Sequence, residues 1–167
     1  RSKIEASSDQ RLIAIGASTG GPQALLRILR TLPREMPPIL LVQHITPSFT
    51  QSFAKSLDAS CQMKVEVAVD GIKPIDGHIY VAPGDRHMLL ARENSDYRIR
   101  LSDHDRVNRH RPSVDELFRS VADHARQNAT GVLLTGMGID GAAGMAQMRQ
   151  NGAWTIAQDE ASSVVFG

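Results

Sequence analysis

The chain has 167 residues, enough for one domain with a sizeable core, and its 41% hydrophobic and 22% charged content is ordinary for a globular protein. Nineteen basic against 18 acidic side chains leave a net charge of +1, and aromatics are only 4%. That removes the electrostatic case for nucleic acid or an anionic membrane, and it leaves few platforms on which bases could stack.

The elements follow in chain order. Residues 1–10, RSKIEASSDQ, are polar and aperiodic and begin with Arg1 instead of methionine, which is expected of an interdomain linker remnant from a longer protein; the folded unit is then residues 11–167. Leu12 to Ile15 reads as a strand and Pro22 to Leu32 as a helix, with Leu25, Ile28, Leu29 and Leu32 at helical spacing. Ile39 to Val42 is a β-rich run, Pro47 to Leu57 a helix and Val65 to Val69 a strand. In HIYVAPGDRHMLLA two apolar stretches flank Pro83-Gly84-Asp85, which predicts a hairpin, and YRIRLSD alternates like a further strand. Ser113, with Glu116 three residues on, predicts a capped helix carrying Leu117, Val121 and His124 on one face. Val132 to Leu134 reads as a buried strand, Ala142 to Met148 as a helix and Trp154 to Ala157 as a last strand. Such alternation predicts an α/β fold, a doubly wound and mostly parallel sheet with helices on both faces and one local antiparallel hairpin.

No apolar run approaches the ~20 residues of a membrane span, and no signal peptide is expected. The single cysteine, Cys61, cannot close an internal disulfide, so a reduced, cytoplasmic protein is expected.

Three residues lie just past predicted strands, where open parallel sheets collect their ligands: Ser18, His44 and Asp140. Gly16, Ser18 and Gly20 satisfy G-x-S-x-G, the sharp strand-to-helix turn that lifts a serine hydroxyl off a sheet. A serine hydroxyl needs a base to take its proton, imidazole suits that near neutral pH, and a carboxylate fixes the imidazole's tautomer. The order Ser, His, Asp differs from that of the α/β-hydrolases. A rival reading uses Gly136, Gly138 and Gly141, which satisfy G-x-G-x-x-G after a strand, with Asp159 near where a dinucleotide's ribose would be bound. A carboxylate at Asp140 would repel a pyrophosphate, and little chain remains for a second nucleotide half. Arg106, Arg109, His110 and Arg111 form a basic stretch, either solvated or able to grip an anion. His78, His87 and His104 lack metal-ligand spacing, so no metal site is expected, and Met137 with the other methionines reads as filler.

IGASTGG, LVQHI, APGDRH, RPSVDELF, TGMGIDGA and AQDEASSVVFG, in this order, resemble the catalytic domain of the chemotaxis protein-glutamate methylesterases from Arg11 to Gly167. The resemblance implies a cytoplasmic serine hydrolase that demethylates glutamate methyl esters on chemoreceptor helices and deamidates particular glutamines there. It implies Ser18 as nucleophile, His44 as base, Asp140 as the base's partner, and the backbone N–H groups of Met137 and Thr19 as an oxyanion hole, with no metal or organic cofactor. It also implies an N-terminal phosphorylatable receiver domain as partner, and a further helix and strand after the VVFG of residues 164–167. A dinucleotide-binding protein and a non-catalytic regulatory module are the alternative readings.

Overall fold

The structure, a computed structural model, describes residues 10–167. The expected linker therefore lies outside the described residues except for Gln10, whose side chain donates to the Pro74 carbonyl at 3.0 Å. Six strands form one parallel sheet: β1 (Leu12–Ala17), β2 (Ile39–Gln43), β3 (Lys64–Val67), β4 (His78–Val81), β7 (Ala129–Leu133) and β8 (Trp154–Ala157). Their order across the sheet is β3-β4-β2-β1-β7-β8. The chain winds outward from β1 to β2 and then returns to start the other half at β7, so the winding direction reverses between β1 and β7. Ligand crevices of open α/β sheets form at such a reversal.

The sheet's two faces are read off the alternation of its strands. Leu12, Ala14, Leu40, Val42 and Tyr80 meet Leu117, Phe118 and Val121 of α3 (Val114–His124) and Met148 of α4 (Ala142–Gln150). On the opposite face Ile15, Ala17, Ile39, Leu41 and Ile79 meet Leu25 and Leu29 of α1 (Gly21–Leu29) and Ala54 and Leu57 of α2 (Pro47–Ser60). Successive strand residues point to opposite faces, so runs such as ILLV serve both cores at once. Each fully buried aliphatic side chain contributes about 1.5–3 kcal/mol. Gly16 sets how closely α3 can lie on β1, because a Cβ there would stand 2.2 Å from Val114 Cγ1.

The expected doubly wound sheet and its antiparallel hairpin are both present, but the hairpin is displaced along the chain. The strands flanking Pro83-Gly84-Asp85 do not pair. β4 is an inner strand of the parallel sheet, and β5 (His87–Glu93) pairs antiparallel with β6 (Asp96–Ser102) in a separate two-stranded sheet. Pro83 offers no N–H to a ladder. The Gly84 N–H is turned to Thr50 Oγ1 at 2.9 Å, so the segment leaves the sheet under the start of α2. The hairpin turn falls instead at Asn94, which takes φ 58°, a conformation asparagine tolerates. The first helix also stops earlier than its periodicity suggests, at Leu29, with Leu32 closing a turn onto the Leu29 carbonyl at 3.2 Å.

Candidate active site

Register brings the carboxyl ends of β1, β2 and β7 level: Ala17 stands opposite Gln43, and Gly16 opposite Leu133. The ladder continues past the strands. The His44 N–H donates to the Ala17 carbonyl at 3.0 Å, and the Ser18 N–H to the Thr135 carbonyl at 3.0 Å. Ser18 is thus held between the residue after β2 and the loop after β7. Its own carbonyl accepts from Gln43 Nε2 at 2.9 Å and from the Gly21 N–H at 2.8 Å, which fixes the turn into α1. Gly136 is required by closeness: a Cβ there would lie 2.8 Å from Ser18 Cβ. Ser18, His44, Gly136, Met137, Asp140 and Val165 all line one cleft of about 160 Å³.

His44 and Asp140, 96 residues apart in sequence, are joined by a 2.7 Å hydrogen bond between Nε2 and Oδ2. The Asp140 side chain is 2% exposed, and its two oxygens are saturated with donors. Oδ2 also accepts from the Val114 N–H at 2.7 Å; Oδ1 accepts from Ser113 Oγ at 2.7 Å, the Asp115 N–H at 3.0 Å and Asn108 Nδ2 at 3.0 Å. Two of these donors are the first N–H groups of α3, so the carboxylate occupies the anion position of a helix N-terminus. Burial alone would raise its pKa. The hydrogen bonds from His44, Asn108, the Asp115 N–H and Ser113 outweigh burial and hold it well below the usual carboxylate range. An ionised Asp140 only accepts, so His44 Nε2 carries the proton and Nδ1 keeps the lone pair. That Nδ1 is buried and, among the described residues, has no hydrogen-bond partner; the Ser18 hydroxyl makes no hydrogen bond to it.

Asn108, Ser113 and Asp115 are the part of the site that sequence reasoning missed. Ser113 was legible only as a cap, and it does accept from the Glu116 N–H at 3.4 Å while its hydroxyl hydrogen goes to Asp140. Asp115, also buried, accepts from Asn108 Nδ2 at 2.7 Å and from the Gly144 N–H at 2.7 Å, tying the platform to α4. Asn108 therefore gives one amide hydrogen to each of two carboxylates.

The basic stretch does not act as one anion grip. Arg106 and Arg111 both turn to Asp85, at 3.1 and 2.8 Å, and His110 lies on His44, leaving Arg109 exposed beside the cleft. His87 is buried and structural: Nε2 donates to the Asp105 carbonyl at 2.9 Å and Nδ1 accepts from the Ser113 N–H at 3.2 Å. His104 bridges Ser102 and Glu116, and His78 faces Glu66. Asp159 is occupied by the Ser162 N–H and hydroxyl in a local turn, which leaves the Gly136-Gly138-Gly141 loop without its ribose acid. Among the described residues the N–H groups of Thr19 and Met137 have no hydrogen-bond partner, and both residues are exposed.

An imidazole–carboxylate pair sharing a strand-end cleft with a serine is the set of groups that nucleophilic hydrolysis uses. Residues 13–167 match the family model described as CheB methylesterase, and the chain belongs to that family. It is 58% identical over 160 residues to a protein-glutamate methylesterase/protein-glutamine glutaminase of Salmonella typhimurium. It is 59% identical over the same length to one of Escherichia coli. In each case 96% of this chain is covered but 46% of the relative, so the chain spans less than half the length of the curated relatives it matches. The crystal structure of the Thermotoga maritima CheB methylesterase catalytic domain superposes with a TM-score of 0.91 at 39% identity, covering 94% of this chain and 84% of that one.

Proposed function

We propose that residues 11–167 form the catalytic domain of a protein-glutamate methylesterase, which hydrolyses glutamate γ-methyl esters on the cytoplasmic helices of chemoreceptors and deamidates glutamines there. The observation that carries this reading is the His44–Asp140 pair: the carboxylate accepts the hydrogen bond from Nε2–H at 2.7 Å and leaves Nδ1 as a base in the cleft that holds Ser18. Ser18 Oγ attacks the ester carbonyl while its proton passes to Nδ1, and the imidazolium that results is stabilised by Asp140. The same proton leaves with methanol, and water activated by Nδ1 then releases glutamate; for a glutamine the leaving group is ammonia. The Ser18 hydroxyl makes no hydrogen bond to Nδ1 in the free site, in keeping with catalytic hydrogen bonds that tighten only with substrate bound. The unpartnered N–H groups of Met137 and Thr19 supply the oxyanion hole, each donor being worth about 10²–10³-fold in rate. A phosphorylatable receiver domain preceding residue 1 regulates access to the cleft, and the protein works in the cytoplasm; among the described residues no helix is long and apolar enough to cross a membrane.

The test is a fluorophosphonate probe with mass mapping, alongside methanol release from a methylated receptor. Modification confined to Ser18, lost together with methanol release in Ser18→Ala, is expected. Undiminished turnover in Ser18→Ala would overturn the mechanism.

A further inference from the structure

The loop before α3 contains a four-residue turn set against the His44–Asp140 pair. Val107 and His110 exchange both backbone hydrogen bonds, each 2.9 Å, across Asn108 and Arg109. The two central residues have φ of 53° and 67°, the form of a type I′ turn. Asparagine tolerates that conformation, whereas arginine adopts it only under strain, and backbone strain of this kind collects at functional sites. From one side of the turn Asn108 reaches Asp140; from the other, the His110 ring lies on the His44 ring with centroids 3.5 Å apart and planes within 6°. The base of the turn is pinned by Arg111, which donates to Asp85 Oδ1 through Nε and Nη2 at 3.2 and 2.8 Å and to the Asp103 carbonyl at 3.1 Å.

We propose that His110 is a positioning residue for His44: its ring, laid flat on the imidazole, fixes the plane in which Nε2 meets Asp140 and Nδ1 is left free. The carboxylate alone constrains one atom of the imidazole and leaves the ring able to tilt about that hydrogen bond. A parallel ring at van der Waals distance removes the tilt and keeps water from one face. It also helps only while uncharged, because His44 becomes a cation during proton transfer, and a second cation on its face would oppose that step. Burial first, then the charges of His44 and Arg106, act to keep His110 below the usual histidine range against the opposing pull of Asp140. This inference rests on the esterase reading for its kinetic arm only.

The experiment compares His110→Ala and His110→Phe with the wild-type chain. It uses hydrolysis of a peptide bearing a glutamate γ-methyl ester, and long-range ¹H–¹⁵N spectra of the His44 ring. The phenylalanine keeps the stack and removes the ionisable nitrogen. His110→Ala is expected to lower kcat at least tenfold with KM within about twofold, and His110→Phe to return kcat to within about threefold of wild type. The wild type and His110→Phe should show a single Nε2–H tautomer for His44, and His110→Ala exchange-broadened ring signals. A rise in KM with kcat unchanged in His110→Ala would overturn the proposal, since His110 would then be contacting substrate. So would His110→Phe as slow as His110→Ala with unaltered His44 spectra, or wild-type kcat and spectra in His110→Ala. If the wild type itself does not hydrolyse the ester, the esterase reading falls, while the ring spectra still decide the positioning role.

Discussion

His44 meets Asp140 through Nε2, at 2.7 Å, and so keeps Nδ1 as its free nitrogen, the reverse of the usual serine-protease arrangement in which Nδ1 faces the carboxylate. The reversal follows from where the two residues stand. His44 hangs from the end of β2 with its backbone bonded to Ala17, whereas Asp140 is drawn under α3 by the helix's first N–H groups. The outer nitrogen of the ring is therefore the one that spans to the carboxylate.

Asp140→Asn should consequently fail for a reason of tautomer more than of shape. The amide oxygen will take the Oδ1 position, where the Asp115 N–H, Ser113 Oγ and Asn108 Nδ2 all donate, its NH₂ will face Nε2 and the Val114 N–H, and the lone pair will move to Nε2. Turnover should drop by about 10⁴-fold, the loss such a substitution costs in a serine protease. Steady-state demethylation, with ring ¹⁵N shifts showing the proton on Nδ1, checks both halves. A variant slow by less than tenfold would show that the carboxylate does not set the tautomer.

Ser113→Ala removes two interactions at once, the cap to the Glu116 N–H and the hydroxyl donated to Asp140. A lost cap costs about 1 kcal/mol, and a hydrogen bond to a charged group about 1.5–3 kcal/mol. Urea unfolding should register a destabilisation of about 2–4 kcal/mol with an unchanged m-value, and kcat should fall as well because Asp140 loses a restraint. A destabilisation under 1 kcal/mol would mean that Ser113 does no more than cap.

The strand-end positions of Ser18, His44 and Asp140 were legible because parallel strands and short loops leave little freedom in where their carboxyl ends fall. The sheet's two-sided cores follow from strand alternation for the same reason. Asn108 and Asp115 were not legible. A single asparagine or aspartate on a loop or in a first helical turn has many uses, and what makes these two functional is a carboxylate that arrives from 32 and 25 residues further along. His110 was read within a basic stretch because sequence proximity to three arginines said nothing of the His44 ring beneath it. The hairpin was misplaced because Pro83-Gly84-Asp85 is a genuine turn signal, and only the contact of Gly84 with α2 shows that the turn ends a parallel strand instead of reversing it.

Gly136→Ala is predicted to separate activity from folding. The position needs no left-handed backbone, so the methyl group brings no dihedral strain, but it would stand 2.8 Å from Ser18 Cβ and 3.3 Å from the Ser18 nitrogen. Ser18 must yield, because Gly136 is itself held by its N–H to the Val165 carbonyl at 3.0 Å. A displacement approaching 1 Å at a reacting group costs about 10²-fold in rate. Single-turnover methanol release should show that loss while the melting temperature moves by only a few degrees, and a variant with wild-type kcat would show that the loop, not Ser18, gives way.

Stability should fall on mild acidification, and His87 should account for part of it. The ring is 0% exposed, and its pKa is lowered, chiefly by burial, with the Asp105 carbonyl opposing and His104 and Arg111 assisting. A histidine with a lowered pKa in the folded state binds protons more readily when unfolded. Stability therefore rises with pH through this window: it is complete above the ordinary histidine value of 6.5 and is lost as pH drops below it. Protonation would also turn Nδ1 from an acceptor into a donor facing the Ser113 N–H, loosening the start of α3 where Asp140 is held. Asp140 adds a separate loss only below its unfolded value near 3.8. Melting temperatures measured between pH 7.5 and 5 should decline for the wild-type chain. The decline should be shallower in His87→Gln, which does not titrate, with His110, also lowered, contributing as well. Identical slopes for the two proteins would remove His87 from the account.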